Sequence, residues 1–184
     1  RVFSDPTQAI IELVVNSLDA YGYVPKVGRF GMGFFSLLYF LRSDSDDTLS
    51  IETVHDGTRV TVEVKSDLTT NIEWKGDKKA TNGTTVTIKT QDVSVSRLSA
   101  HMNRLKYHRG GWIRYNGAAV NDPRRKGCFD AEVPPNSALV DVKITQNLIR
   151  VADNASGVSL ETLLQSMLVP SSSTKGLNQS ERRC

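Results

Sequence analysis

Three polar side chains share one stripe of a segment that otherwise has the composition of a buried helix. Between Ile10 and Ala20 the chain carries Glu12, Asn16 and Asp19, spaced i, i+4 and i+7. On a helix this spacing places all three on one face. Amphipathic surface helices usually present a wider polar surface than this. A carboxylate stacked one turn from an amide on a core helix suits a site that activates water or holds a metal.

The residue types assign a role to each of the first two side chains. Glu12 suits a general base, and a positioned base contributes about 10² to 10⁴ in rate. Asn16 offers an amide oxygen, and Mg²⁺ takes a few protein oxygens and completes its octahedron with phosphate and water. The alternative is a helix with a single solvent-facing polar row, and the stripe alone does not choose between the two.

Glycines gather directly before a second apolar segment. Gly28, Gly31 and Gly33 precede a predicted helix over Phe34–Leu41. Glycine lets a backbone approach phosphates, and a helix N-terminus favours anions. The cluster lacks the Gly-Lys-Ser/Thr of a Walker loop and the third glycine of the dinucleotide-binding fingerprint. Phosphate binding is one interpretation, and ordinary turn glycines are the other.

A third candidate site lies between a predicted strand and a predicted helix near the end of the chain. The segment from Asp153 to Gly157 contains an aspartate, an asparagine and a serine. A buried aspartate can accept a hydrogen bond from an exocyclic amine such as that of adenine, worth about 1.5–3 kcal/mol. Thr84, which follows Gly83 at the start of another strand, could support the same carboxylate. The alternative is an Asx-rich turn.

Hydrophobic periodicity and turn signals predict the elements that must position these residues. Predicted helices cover Pro6–Ala20, Phe34–Leu41, Ser94–Tyr107 and Leu160–Leu168, the first capped by Ser4 or Asp5. Predicted strands cover Thr48–Val54, Thr58–Val64, Asn71–Trp74, Thr84–Thr90, Trp112–Tyr115, Ala118–Val120, Leu139–Thr145 and Leu148–Val151. Helices on one face of a mostly antiparallel sheet give an α+β sandwich.

Length and composition fit one domain of 184 residues with a net charge of +3. We divide it into residues 1–120, a connector over 121–138, a block over 139–176 and a tail over 177–184. No apolar run is long enough to span a membrane. Cys128 and Cys184 have no metal-binding spacing and are expected to be free thiols. We therefore expect an intracellular protein, cytoplasmic or nuclear, without a zinc site.

Taken together, these motifs resemble those of the GHKL ATPases, the gyrase, heat-shock chaperone, histidine kinase and MutL group. The wording is nearest to the heat-shock chaperone and MORC-like branch. The similar segments are Glu12–Ala20 (N box), Gly28–Ser36 (lid-hinge glycines), Asn82–Val86 (Gly-Thr motif), Asp153–Val158 (adenine-binding Asp-x-Gly-x-Gly motif) and Ser173–Lys175 (start of the ATP lid).

The resemblance implies a Bergerat-type two-layer α/β sandwich that holds ATP or ADP and Mg²⁺ between helices and sheet. Glu12 would polarise the attacking water, and Asn16 would bind Mg²⁺. Asp153 would bind the adenine amine with help from Thr84. The resemblance also assigns to the nucleotide Asp19, Gly28, Gly31, Met32, Gly33, Phe34, Ala155, Gly157 and Lys175.

Two departures from the family pattern bear on activity. Ala155 stands where the family has glycine, and its methyl group is expected to weaken nucleotide binding. The Asp153 segment follows the Gly-Thr motif instead of preceding the lid glycines, so we expect a rearranged, non-sequential topology. The order fits a natural rearrangement, an engineered chain or a segment swapped between subunits.

No second domain that supplies a lysine to the terminal phosphate follows in this sequence, so slow Mg²⁺-dependent ATP hydrolysis by a conformational switch is the expected activity. A homodimer or a coupled partner domain would accompany such a switch. One alternative is a nucleotide-binding scaffold without turnover. Another is the ATPase module of a DNA-associated protein of the MutL or MORC type, favoured only by a pI of 8.9 and short basic runs.

Overall fold

The computed structural model describes residues 7–19, 36–91, 93–108, 111–122 and 138–164, without the side chain of Asp19. The helices are α1 (Thr7–Asp19), α2 (Val95–Met102), α3 (Leu160–Thr162) and two 3-10 helices, Ser36–Phe40 and Asn103–Tyr107. The strands are β1 (Thr48–His55), β2 (Thr58–Lys65), β3 (Thr70–Gly76), β4 (Gly83–Lys89), β5 (Trp112–Tyr115), β6 (Ala118–Ala119), β7 (Leu139–Ile144) and β8 (Leu148–Asp153).

The predicted α+β class with a mostly antiparallel sheet is confirmed. Each predicted strand is present, with its ends moved by at most two residues. Tight turns at Asp56-Gly57 and Asn116-Gly117 join the β1–β2 and β5–β6 hairpins. Asp56 and Gly57 have φ values of 47° and 74°, and Asn116 and Gly117 have 48° and 85°. Successive left-handed residues match the twist of the flanking strands.

The helix predicted over Phe34–Leu41 differs from the structure in its described part, which is a 3-10 helix over Ser36–Phe40. The carboxylate of Asp47 accepts a hydrogen bond from the Arg42 backbone nitrogen at 3.0 Å and from its guanidinium at 2.9 Å. These bonds turn the chain into β1 and so prevent the helix from continuing. The helix predicted over Ser94–Tyr107 likewise tightens into a 3-10 helix after Met102.

The eight strands form one sheet in the order β3-β2-β1-β4-β8-β7-β5-β6. The β5–β7 pair is parallel, and the other pairs are antiparallel. The hairpin β7–β8 comes late in the chain but occupies the middle of the sheet, between β4 and β5. Residues far apart in sequence therefore become direct neighbours there, above all Thr84 and Asp153.

Strand register gives the sheet one apolar face and one polar face. One cross-strand row on the inner face contains Val64, Leu49, Ile88, Ile149 and Ile144, and the next contains Val62, Ile51, Val86, Val151 and Val142. These residues are buried in one core. A row on the opposite face contains Glu63, Ser50, Thr87, Arg150 and Lys143. Side chains alternate along each strand, so this pattern is that of a sheet covered on one side.

Helix α1 contacts β7, β8 and α2. Its buried side chains include Ile10, Val14 and Leu18, each 0% exposed. No side chain from Thr7 to Leu18 is exposed, which agrees with the narrow polar stripe expected of this helix. Within the described ranges, no helix has the length and hydrophobicity needed to cross a membrane.

Candidate functional site

A third cross-strand row on the inner face of the sheet is polar at its centre. The row contains Val60, Thr53, Thr84, Asp153, Val140 and Ile113. The other two inner rows described above have only apolar residues on β1, β4 and β8. Two hydroxyls and a carboxylate in this place cost stability unless they are hydrogen-bonded. The hydrogen bonds of these three residues therefore define the candidate site.

The carboxylate of Asp153 accepts two backbone hydrogen bonds from described residues. Its Oδ1 atom accepts from the backbone nitrogen of Thr84 at 3.3 Å and from that of Ala155 at 3.0 Å. A carboxylate offers about four acceptor sites, which is more than these two described donors use. Burial raises the pKa of the Asp153 carboxyl above its usual value, although the two backbone donors and the nearby Ser17 side chain of α1 act in the opposite direction.

The hydroxyl of Thr53 joins three segments of the chain. Thr53 is 0% exposed, and its Oγ1 atom accepts from the Val158 backbone nitrogen at 2.7 Å. The same atom lies 3.2 Å from the Thr84 hydroxyl and 3.3 Å from the Gly83 carbonyl oxygen. Strands β1 and β4 and the loop after β8 are thereby fixed to one another.

Thr53 was absent from the sequence-based site. The signal for it was the inward alternation of Leu49, Ile51 and Thr53 along β1, which puts a threonine at a core position. The expected support of Asp153 by Thr84 takes a different form from the one that the sequence suggested. The backbone nitrogen of Thr84 contacts the carboxylate, and its hydroxyl pairs with Thr53.

The loop after β8 lies against the end of β1 at Gly157. This glycine has φ +73°, and a Cβ atom there would come 1.9 Å from the carbonyl oxygen of Val54. Only glycine fits so close an approach in the left-handed region. Next to it, the His55 Nδ1 atom lies 2.8 Å from the carbonyl oxygen of Ser156. The loop that begins at Asp153 is therefore held against β1 on both sides of this glycine.

Ala155, which departs from the glycine of the family motif, is 7% exposed. Its nitrogen is one of the donors to Asp153, so the residue forms part of the carboxylate's cradle. Gly83 faces the same place from β4, where a Cβ atom would come 2.3 Å from the Asp153 carbonyl oxygen. That the Ala155 methyl group weakens nucleotide binding stays a prediction.

In α1, Asn16 directly precedes Ser17, and Glu12 lies five residues before it. Glu12 and Asn16 are half-buried. Helix α1 contacts β7 and β8, and the Ser17 side chain is close enough to Asp153 to lower the pKa of its carboxyl, so the helix that carries the stripe packs beside the polar row. The structure thus brings together Thr84, Asp153, Ala155 and Gly157 and links them to α1. The remaining predicted positions lie outside the described part of the chain, as does the Asp19 side chain: Gly28, Gly31, Met32, Gly33, Phe34 and Lys175.

The described residues suit Mg²⁺ only as an ion that arrives with a nucleotide. No group of three or more histidine, cysteine, aspartate or glutamate side chains within them could hold a metal. Asn16 supplies one amide oxygen, which is consistent with an ion that takes its other ligands from phosphate and water.

Comparisons of the chain with protein-family models, with curated proteins and with solved structures give no match. The likeness to the GHKL ATPases therefore rests on the sequence motifs.

Proposed function

We propose that this chain binds an adenine nucleotide between α1 and the polar row of the sheet, and that it hydrolyses ATP slowly with Mg²⁺ as a conformational switch. The observation that supports the proposal is that three neighbouring strands place polar residues side by side in an otherwise apolar face of the sheet. These residues are Thr53, Thr84 and Asp153. Core-facing strand positions are normally apolar, and exceptions to this pattern are concentrated at functional sites.

The chemistry of Asp153 favours a base with an exocyclic amine, as adenine has, over hypoxanthine. Its carboxylate offers more acceptor sites than the two described backbone donors use, and burial raises its pKa. A ligand that offers an N–H there gains a charge-assisted hydrogen bond. The exocyclic amine of adenine is such a donor. Hypoxanthine has an exocyclic oxygen in the position of that amine, and two acceptors facing each other repel.

The phosphate end of the proposed site belongs to α1. In the proposed hydrolysis, the Glu12 carboxylate takes a proton from the water that attacks the terminal phosphorus. The bond from that phosphorus to the oxygen bridging it to ADP breaks, so the products are ADP and inorganic phosphate. The Asn16 amide oxygen would help to hold an Mg²⁺ ion that arrives with the nucleotide, and the ion would neutralise phosphate charge.

Calorimetric titration with ADP and with inosine diphosphate, each with and without Mg²⁺, tests the adenine assignment. The two ligands differ at the group that Asp153 would bind. We expect ADP to bind more tightly by about 10- to 150-fold, the equivalent of about 1.5–3 kcal/mol. Asp153→Asn should remove this preference. Asp141→Asn, on the neighbouring strand β7, changes the same charge at a position paired with Ala152 and is the matched control.

Equal affinity for ADP and inosine diphosphate, or an unchanged preference in Asp153→Asn, would show the adenine assignment to be wrong. Turnover is tested separately with Glu12→Gln. This variant should bind ADP like the original chain and lose about 10²- to 10⁴-fold in ATP hydrolysis. Saturable binding without turnover in the original chain would leave a nucleotide-binding switch and remove the ATPase.

A further inference from the structure

Strand β3 forms one outer edge of the described sheet. Along its seven residues, Ile72 is half-buried and the others are exposed. Trp74 is 64% exposed, although it lies opposite Val60 and hence on the core-facing side of the sheet. An outer strand presents backbone donors and acceptors that can pair with another strand. A second strand paired with this edge would bury part of the exposed Trp74 side chain.

The hydrogen bonds to β2 show which backbone groups of β3 face outward. The Lys65 nitrogen donates to the Thr69 oxygen at 3.0 Å, and the Asp77 nitrogen donates to the Gly57 oxygen at 2.7 Å. Hydrogen-bonded and non-hydrogen-bonded pairs alternate along an antiparallel ladder. Odd-numbered residues of β3 therefore point their backbone groups at β2. Ile72, Trp74 and Gly76 point theirs at the open edge.

Charge favours one of the three registers that place Glu73, Trp74 or Lys75 on a two-fold axis between two copies of β3. When Glu73 lies opposite its own copy, two carboxylates meet. When Lys75 lies opposite its own copy, two ammonium groups meet and Glu73 faces Asp77. When Trp74 lies opposite its own copy, Glu73 of each chain faces Lys75 of the other. Like charges directly opposite each other destabilise a strand pair, and opposite charges stabilise it.

We propose that β3 pairs antiparallel with β3 of a second copy of this chain, with Trp74 opposite Trp74. In this register the outward backbone groups of Trp74 face each other, and those of Ile72 face Gly76. Glu73 and Lys75 fall on a non-hydrogen-bonded pair, where side chains approach most closely. Within one chain, Lys75 lies opposite Arg59, a residue of the same charge, and the carboxylate of Asp77 is already paired with Arg59 at 2.9 Å. Glu73 of the second copy would therefore give Lys75 an opposite charge.

The pairing extends the inner face across the two-fold axis, and it is independent of nucleotide binding. Two short edge strands bury less than the about 1,200 Å² of a standard interface. A reversible dimer with a micromolar dissociation constant is therefore expected. Because exposed ion pairs are screened by salt, the dissociation constant should rise with ionic strength.

Sedimentation equilibrium of the whole chain over a range of micromolar concentrations tests the proposal. Glu73→Lys and Lys75→Glu each convert two opposite-charge contacts into like-charge contacts, and each should raise the dissociation constant about tenfold or more. The double variant with both changes restores opposite charges and should restore the original value. Lys143→Glu, an exposed lysine on the polar face of β7, is the matched control and should have no effect.

A second variant tests the backbone part of the interface. In Ile72→Pro the lost N–H faces the open edge, so the ladder to β2 keeps its hydrogen bonds. This variant should stay monomeric, with a circular dichroism spectrum like that of the original chain. In a Trp112→Phe background, the fluorescence of Trp74 should shift to shorter wavelength as the chain dimerises. A chain that stays monomeric throughout, or a dimer that the double charge exchange fails to restore, would overturn the proposal.

Discussion

Replacing the Thr53 hydroxyl with a methyl group should loosen the loop that carries the candidate site. Valine has nearly the shape of threonine, so Thr53→Val removes the hydroxyl and little else. The Val158 nitrogen then loses its acceptor at 2.7 Å, and the Thr84 hydroxyl loses a partner at 3.2 Å. An unsatisfied buried donor costs about 1–3 kcal/mol. We expect the free energy of unfolding to fall by that amount, and the melting temperature by about 2–4 °C per kcal/mol for a chain of this size.

Thr53→Ser distinguishes the contribution of the hydroxyl's hydrogen bonds from that of side-chain packing. Serine keeps the hydrogen bonds and removes a methyl group from a position that is 0% exposed, for a loss of about 1 kcal/mol. Thr87→Val makes the same change as Thr53→Val on the polar face of β4 and should leave stability nearly unchanged.

Hydrogen exchange of the Val158 amide measures the contact directly. Its exchange should accelerate in Thr53→Val and stay slow in Thr53→Ser and Thr87→Val. If the proposed function is right, ADP affinity should follow the same order, because the loop held by Thr53 begins at Asp153. Unchanged protection of Val158 in Thr53→Val, with an unchanged melting temperature, would refute the idea that this hydroxyl holds the loop.

Three further predictions concern stability. At neutral pH the melting temperature of Asp153→Asn should equal or exceed that of the original chain. Burial raises the pKa of the Asp153 carboxyl, so ionising this group opposes folding. The two melting temperatures should converge below about pH 4, where the carboxyl is protonated in both the folded and the unfolded chain. Gly157→Ala should lose at least about 1–3 kcal/mol in urea unfolding, since its Cβ atom would meet Val54 in a left-handed conformation. Arg42→Ala leaves Asp47, which is 4% exposed, without its guanidinium partner. The Arg42 hydrogen bond holds the pKa of Asp47 well below its usual range, so the predicted loss of about 1 kcal/mol at neutral pH should shrink as pH falls below about 4 in thermal melts.

Local patterns were sufficient to predict the elements of the sheet. Alternating apolar residues and Asp-Gly or Asn-Gly turns are properties of neighbouring residues, and the eight strands follow from them. Helix type was harder to predict. The segment around Ser36–Phe40 is apolar enough for an α-helix, but its end is decided by Asp47, which binds the backbone of Arg42. Such a contact is fixed by the chain that follows the helix and leaves no periodic signal within it.

The site could be predicted only in part, because its contacts cross the sheet. Asp153 and Thr84 were each expected to be functional from their motifs, and the structure makes them register partners 69 residues apart. Thr53 carries no motif. Its importance depends on strand order, since it becomes central only when β8 lies beside β4 and the loop after β8 reaches back to β1. Strand order is a property of the whole chain and is not encoded in any short segment.

The late hairpin β7–β8 links the completion of the fold to the completion of the site. Without it, β4 would be an outer strand, and Thr84 would lack the carboxylate that its nitrogen contacts. With it, the same strand pairing that closes the sheet also places Asp153 beside Thr84 and brings Gly157 against β1. The hydrogen bonds of the polar row are thus complete only in the fully paired sheet. An intermediate that lacks this hairpin would keep the contact between the Thr53 and Thr84 hydroxyls, but the Thr84 nitrogen would lose its carboxylate acceptor and no carboxylate would be in place to bind a ligand. Assembly of the sheet and formation of the candidate site are therefore one event, and any ligand of Asp153 must stabilise the central strand pair against unfolding.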